Sequence, residues 1–275
     1  MFKIIDKKQL SSNIFEMEID APLITINYKI GQFVIIRIDD KGERFPLTIA
    51  RCNKEKGSIS IIYQAIGAST MLLSQLNIGD FIKDVVGPLG HPTDYPESAR
   101  KVCIIGGGVG NAIAFPQAIY ATSNNFDTEI LVGFRNKEAI ILEDQFKALT
   151  DKVYIATDDG SYGFNGNTNQ LLMERLKETT YDLVIVIGPI LMMKAIGKTC
   201  AEHNIKCLAS LNPIMIDGTG MCGGCRVRVG GQTKFACVDG PDFDATLIDF
   251  DDLNTRNKTY RCEEQDHVCR IRGEK

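Results

Sequence analysis

The sequence predicts an antiparallel β-barrel, then a doubly wound parallel α/β domain, then a small cysteine-bearing C-terminal domain. Three observations lead there. Short alternating strands separated by turn residues fill the first part of the chain. Compact apolar strands alternating with helical stretches follow. Near the C-terminus, three of the nine cysteines gather in one glycine-rich stretch. A chain of 275 residues suits about two domains and allows three small ones. Boundaries are expected at 1–98, 99–209 and 210–275.

In the first part, residues 13–20 alternate with period two, as a half-buried strand does. Residues 32–39, 45–50 and 57–64 follow at barrel-like spacing, and only 69–76 carries a helical pattern. The texture changes after the loop at 91–97. Apolar strands at 101–105, 129–134, 153–157 and 182–188 are separated by helical stretches that include 138–149, 169–177 and 191–203. Strands alternating with helices indicate a parallel sheet covered on both faces. The third piece begins near Ser210 and is rich in Gly, Cys and Asp.

Composition narrows the function classes. With 44% hydrophobic and 24% charged residues the chain reads as an ordinary globular protein, which excludes disordered and fibrous classes. A net charge of -4 without a long basic run argues against nucleic acid as a partner. No apolar stretch is long enough to span a bilayer, and the first residues lack the apolar core of a signal peptide. A cytoplasmic location is expected, where cysteines are kept reduced. Cys103, in an apolar run, reads as a small buried hydrophobe, and Cys52, Cys200 and Cys207 are scattered singly.

The cysteine stretch carries the most chemistry. Asp217 is followed by Cys222 and Cys225, with Cys237 beyond. The two-iron plant-type spacing is C-x4-C-x2-C…C, and Asp217 stands where its first cysteine would be. Intervening glycines allow positive φ and close approach of backbone amides to a cluster. A zinc knuckle is the bland alternative, but zinc takes four Cys or His ligands and no His lies nearby. Asp217 reads either as a ligand or as a turn residue before Gly.

Two further signals concern nucleotides. Gly106, Gly107, Gly108, Val109 and Gly110 sit between a strand and a helix, where a pyrophosphate meets a helix N-terminus. The run departs from G-x-G-x-x-G because the last position is Asn111, and a tight strand–helix turn is the alternative. No acidic residue ends the second strand. Arg135 stands there instead, either as a site for a 2′-phosphate or as a solvated loop cation. Gly188 and Pro189 end a later strand at the same edge. In the barrel, Arg44, Phe45, Pro46, Leu47 and Thr48 place a phosphate-binding cation and a hydroxyl on one strand, which suits a flavin but is equally read as an edge strand with Pro. Gly67, Ser69 and Thr70 open a helix whose free amides either bind phosphate or are capped by Ser69.

Together these motifs resemble the ferredoxin-NADP reductase superfamily over residues 1–255. More narrowly, their order is similar to that of electron-transfer subunits with a C-terminal cluster: the dihydroorotate dehydrogenase electron-transfer subunit, and the small subunit of electron-bifurcating NADH-dependent ferredoxin:NADP oxidoreductase, also described as a sulfide dehydrogenase subunit. The resemblance implies FAD in the barrel, held by Arg44 to Thr48, by Ile62, Tyr63 and Gln64, and by Gly67, Ser69 and Thr70. Thr48 would lie near flavin N5 and Arg44 near the flavin phosphates. It implies NAD(P) loops at Gly106 to Gly110, Asp158, Asp159, Gly160, Gly188 and Pro189. It also implies a 2Fe-2S cluster on Cys222, Cys225 and Cys237. The dihydroorotate type has four cysteines, whereas 212–222 resembles the bifurcating type, with three Cys and one Asp, and this makes Asp217 the implied fourth ligand. The implied chemistry is hydride transfer from NADH to the flavin, then single electrons to the cluster, NADPH remaining the other candidate because of Arg135. The implied partner is a larger subunit with FAD and four-iron clusters, acting on ferredoxin. Rival readings are an arm of dihydroorotate dehydrogenase or of a hydrogenase-like complex, a non-enzymatic flavin and cluster redox sensor, and a zinc-binding adaptor. Cys262 and Cys269 in the tail are expected to be free thiols, and the acidic run 239–252 a solvated, helix-capping face.

Overall fold

The computed structural model describes residues 1–273. Its first part holds β1 (Phe2–Ser11), β2 (Ile14–Asp20), α1 (Pro22–Asn27), β3 (Phe33–Arg37), β4 (Phe45–Asn53), β5 (Ser58–Gln64), α2 (Ala68–Gln75), β6 (Phe81–Ile82) and β7 (Asp84–Leu89). The strands form one sheet in the order β6-β1-β2-β5-β4-β3-β7, and every neighbouring pair is antiparallel. Only Lys83 separates the two edge strands, and its amide donates to Ile38 O at 3.0 Å. The sheet therefore nearly closes into a barrel, leaving little free edge. Alternation along the strands sends Ile4, Met17, Ile19, Val34, Ile36, Ile49, Ile59 and Ile61 inside. Helix α1 is a correction to the sequence reading, which expected one helix here. It begins with Pro22 at its first turn and spans six residues, too few for a 3.6-residue period to show.

The second part runs β8 (Lys101–Gly107), α3 (Gly110–Ser123), β9 (Asp127–Phe134), α4 (Glu143–Lys147), β10 (Val153–Thr157), β11 (Phe164–Asn165), α5 (Thr168–Arg175), β12 (Leu183–Ile187), α6 (Ile190–Glu202) and β13 (Lys206–Ser210). The order is β11-β10-β9-β8-β12-β13, all parallel. Along β8, Val102 and Ile104 enter one core while Cys103 and Ile105 enter the other. Burial on both faces is why the strand reads as a continuous apolar run. The chain builds outward from β8 through β9, then returns to its other side at β12, so the β8/β12 crevice is the switch point of the sheet. The helical stretch expected at 138–149 is corrected to a 3₁₀ turn at Lys137–Ala139 and the short α4. Asn136 caps the turn, and Leu142 at φ 60° redirects the chain so that both Ile141 and Leu142 are buried.

The last part contains β14 (Arg226–Val229), β15 (Gln232–Phe235), β16 (Asp242–Asp244), α7 (Phe250–Arg256) and α8 (Arg261–Arg272). Gly230 and Gly231, both at positive φ, make the two-residue turn that joins β14 to β15. Strand β16 pairs antiparallel with β13 and becomes the edge of the parallel sheet. Cys225, Val227, Ala236, Phe243, Ile248 and Leu253 share one core with Cys103, Ile105, Val184 and Val186. In the acidic run, Asp249 caps α7 by accepting from Asp252 N at 3.0 Å, and Asp244 accepts from Thr246 N at 2.9 Å. Asp242 departs from the solvated face expected there. Pairing of β16 turns it inward, where Oδ2 accepts from Thr93 Oγ1 at 2.5 Å and Oδ1 is buried without a partner. Among the described residues, no helix is long and apolar enough to cross a membrane.

Candidate functional site

The three parts meet around a cavity of about 350 Å³. Strand β4 contributes Phe45, Pro46, Leu47 and Thr48, and β5 contributes Ile62, Tyr63 and Gln64. Gly67 and Thr70 come from the start of α2, and Val109 and Ile113 from the glycine loop and α3. The far wall was not anticipated from the sequence. It is Ile187 at the end of β12, Ser210 at the end of β13, and Leu211, Asn212 and Met215 on the way to the cysteine loop. Their signal was positional, since the carboxyl ends of parallel strands face the crevice at a switch point. Tyr63 is 2% exposed, its hydroxyl has no partner, and burial pushes its phenol well above the ordinary value. A buried hydroxyl left open at a cavity wall fits a polar ligand atom. The mixed wall, apolar with a few hydroxyls and amides, fits a flavin ring.

Two residues expected at the flavin, Arg44 and Ser69, do not line this cavity. Arg44 is half-buried, and its Nε donates to Ile216 O at 2.9 Å, tying the barrel strand to the cysteine loop. Ser69 does not cap α2, and its hydroxyl donates to Glu43 Oε2 at 2.9 Å. The cap is Gly67, whose amide donates to Thr70 Oγ1 at 3.1 Å while that hydroxyl donates to Gly67 O at 3.0 Å. The next amide, Ala68 N, donates to Glu264 Oε1 of α8 at 2.7 Å. Glu43, Glu264 and His267 bring one ligand atom each within 4.8 Å at this surface.

Across the cavity, Gly106 and Gly107 end β8, and Gly108 turns at φ +57°. Gly110 opens α3 against β12, where a Cβ would meet Ile187 O at 2.5 Å and Gly188 Cα at 2.8 Å. Asn111, fully buried, occupies the place where the dinucleotide fingerprint has its last glycine. Its Nδ2 donates to Gly108 O (2.9 Å) and Gly133 O (3.0 Å), stapling the loop to the end of β9. Arg135 is exposed just beyond β9, and Asp158, Asp159 and Gly160 form an exposed turn after β10. Hydrogen bonds from the Ser161 hydroxyl and amide hold the Asp159 carboxyl below the usual range. These four lie at the same sheet edge but do not line the cavity. A larger cavity of about 1140 Å³ opens elsewhere between barrel and α/β domain, and no residue expected from the sequence lines it.

Beyond Met215 the chain enters the cysteine loop. Gly218, Gly220 and Gly223 all have positive φ, and a Cβ on Gly218 would strike Leu89 and Ile35 of the barrel. Cys225 and Cys237 are buried with Sγ atoms 3.1 Å apart, while Cys222 is exposed. Burial and the neighbouring Cys225 push the Cys237 thiol up to about 12. Asp217 Oδ2 accepts from Thr219 Oγ1 (2.5 Å), Thr219 N (3.1 Å) and Met221 N (3.3 Å). The Thr219 bonds do most to hold its carboxyl below the usual range, and Arg44 adds to them. Three thiols and a carboxylate in a glycine-rich loop form a donor set that fits an iron–sulfur cluster.

Comparison with known proteins agrees with this layout. Residues 1–93 match the oxidoreductase FAD-binding domain, and 212–249 match the iron–sulfur cluster binding domain of dihydroorotate dehydrogenase B. The chain is 41% identical over 265 residues to the dihydroorotate dehydrogenase B (NAD(+)) electron transfer subunit homolog of Thermotoga maritima, covering 96% of this chain and 93% of that one. It is 32% identical over 255 residues to the corresponding electron transfer subunit of Desulforamulus reducens, covering 88% and 97%. A chain in a solved structure of the NADH-dependent reduced ferredoxin-NADP oxidoreductase, described for flavin-based electron bifurcation, superposes with a TM-score of 0.92 at 37% identity, covering 98% of both chains.

Proposed function

The chain belongs to the family of dihydroorotate dehydrogenase B electron transfer subunits, and from that premise we propose that it draws electrons from a nicotinamide nucleotide and delivers them singly through a 2Fe-2S cluster, as the small subunit of an electron-bifurcating ferredoxin-NADP reductase type of complex. It is an oxidoreductase-type electron-transfer subunit with a FAD-binding domain and an iron–sulfur domain. The larger subunit would carry a second FAD and four-iron clusters and would complete the exchange with ferredoxin. The observation that carries this reading is the shared cavity: barrel, glycine loop and the approach to the cysteine loop each supply a wall, and Met215 in that wall stands two residues before Asp217.

When bound, FAD accepts a hydride and releases electrons one at a time, which is the cofactor's own chemistry. The chain's residues position and shield. Thr48 would place its hydroxyl near flavin N5, Phe45, Pro46 and Leu47 would support the ring, and Ile62, Tyr63 and Gln64 would hold the ribityl part, all of them lining the cavity. Gly67, Ser69 and Thr70 would bring α2 to the phosphates. Gly106, Gly107, Gly108, Val109, Gly110, Gly188 and Pro189 would hold the nicotinamide nucleotide at the switch point, with Arg135, Asp158, Asp159 and Gly160 at its adenosine end. Val109, Ile113 and Ile187, which line the cavity, would keep water from the reacting face. Arg44 fastens the cysteine loop to the chain entering β4 and would thereby hold the cluster loop in place against the flavin barrel. Asp217, Cys222, Cys225 and Cys237 would ligate the cluster. The proposed division into 1–98, 99–209 and 210–275 follows these roles, with Leu211 to Leu253 contributing to the core of the second part.

NADH is the proposed donor, following the NAD(+)-dependent relatives. The test is anaerobic native purification, with identification of the co-eluting subunit, an absorption spectrum, and assay of iron and acid-labile sulfide. A larger flavin and four-iron partner, with about two labile sulfides on this chain, supports the reading. A dihydroorotate dehydrogenase partner would make this chain its electron-supplying arm, the second reading, which the names of the relatives favour. Stopped-flow flavin bleaching much faster with NADPH than NADH would reverse the choice of donor.

A further inference from the structure

We propose that the C-terminal helix α8 is a built-in competitor for the phosphate end of the flavin site, with Glu264 holding the α2 amide that a flavin diphosphate takes on binding. The inference rests on the reading that the barrel binds FAD. Ala68 N is the first helical amide of α2, where aligned peptide dipoles favour an anion. A carboxylate is already seated there: Glu264 Oε1 at 2.7 Å, reaching in from 196 residues along the chain. Gly67 leaves room for it, since a Cβ there would lie 2.7 Å from that oxygen.

Beneath α8 lies a cavity of about 620 Å³, lined in part by Arg44, Arg261, Glu264 and Met215. Met215 also lines the flavin cavity, so the two spaces adjoin at one side chain, and the second carries the guanidinium groups of Arg44 and Arg261 together with the carboxylates of Glu43, Glu263 and Glu264. In the first, the Tyr63 hydroxyl is buried without a partner, a polar contact left open beside the start of α2 that also lines this cavity. Helix α8 has no fully buried residue, so few apolar contacts oppose its release. Besides Glu264, its described ties here are His267 Nδ1, 3.6 Å from Glu43 Oε1, and Glu43 in turn accepts from Ser69 Oγ. A diphosphate and the Glu264 carboxylate cannot share one amide without like-charge repulsion.

The test uses the full-length chain with its cluster retained and flavin removed. FAD and riboflavin are titrated by fluorescence into wild type, Glu264→Gln and Glu264→Ala, and hydrogen exchange is followed over Arg261–Arg272. Both variants should bind FAD about tenfold more tightly, chiefly through faster association. Riboflavin, which lacks phosphate, should bind wild type and variants alike. Exchange in α8 should rise when FAD is added to wild type. Unchanged or weaker FAD binding in both variants, or α8 protected by FAD, would overturn the inference and leave the flavin assignment standing. Failure of wild type to bind either flavin would remove the flavin assignment and the inference with it.

Discussion

Gly110→Ala tests whether the proposed nicotinamide site depends on close contact between the glycine loop and β12. The added Cβ would sit 2.5 Å from Ile187 O and 2.8 Å from Gly188 Cα, both backbone atoms, where ordinary contacts begin at 3.4 Å. The end of β12 must therefore retreat by about 0.9 Å, and overpacking of this kind costs about 2 kcal/mol. At ~3 °C per kcal/mol for a chain of this size, Tm should fall about 6 °C. The displaced strand carries Ile187, a wall of the cavity, so NADH-driven flavin reduction should slow as well. Gly107→Ala is the control. Its Cβ would meet chiefly the Met192 thioether, the far end of a flexible side chain. Thermal unfolding by circular dichroism and stopped-flow absorbance at the flavin band read both effects. Gly110→Ala within a degree of wild type, with Gly107→Ala the worse of the two, would refute the reasoning.

Three further outcomes are expected. Glu129 is 2% exposed and accepts from Tyr181 (2.8 Å), Lys101 (2.9 Å) and Arg175 (3.2 Å). Glu129→Ala removes the carboxylate shared by Tyr181, Lys101 and Arg175, leaving Lys101 with Asp127 (3.9 Å) and Arg175 with Glu178 (2.5 Å), and should cost about 1–3 kcal/mol in denaturant unfolding. Burial alone would raise the Glu129 pKa, but those hydrogen bonds outweigh it and hold the carboxyl low. Its contribution is thus present above the unfolded Glu pKa and lost as pH falls through the folded one, so the gap between wild type and Glu129→Gln should close below about pH 4. Asp242 has the opposite sign, because burial raises its pKa in the fold. The stability it contributes is full below the unfolded Asp pKa and is lost as pH rises through the folded value, so Asp242→Asn should match wild type near about pH 4 and exceed it near about pH 8. Finally, with the Cys237 thiol pushed up to about 12, metal must displace a proton. Uptake of cobalt(II) by the cluster-free chain, followed by thiolate charge-transfer absorbance, should tighten as pH rises, and a flat profile would contradict this.

Much of the architecture was legible because burial writes itself into periodicity. Alternation in β2 exposed a half-buried barrel strand, and the unbroken apolar run of β8 exposed a strand covered on both faces. Elements set by a few local contacts were not legible. The left-handed Leu142 that interrupts the stretch before α4 carries no sequence mark, and α1 is shorter than two turns. At the site, glycine runs and cysteine spacing pointed to loops, because backbone approach demands those residue types. Asn111 was noticed only as a departure from a glycine pattern, yet its amide holds the loop against β9. The walls from Ile187 and Ser210 to Met215 come from segments distant in sequence, and only the order of strands brings them together. Position 242 misled because an aspartate in an acidic run gives no hint that strand pairing will bury it.

Strand β16 has a consequence for how this protein can be taken apart. It covers the outer rim of β13, and Phe243 within it and Ala245 just beyond it fill the same interior as Cys103 and Val186. Cutting the chain at the apparent boundary near 210 would not release a self-contained nucleotide module. It would bare a row of unpaired amides and carbonyls beside an opened apolar floor, a template for association between truncated chains. The redox loop is in this sense not an appendage that recombination can swap between hosts. Lineages that exchanged it would have had to exchange the rim of the sheet with it.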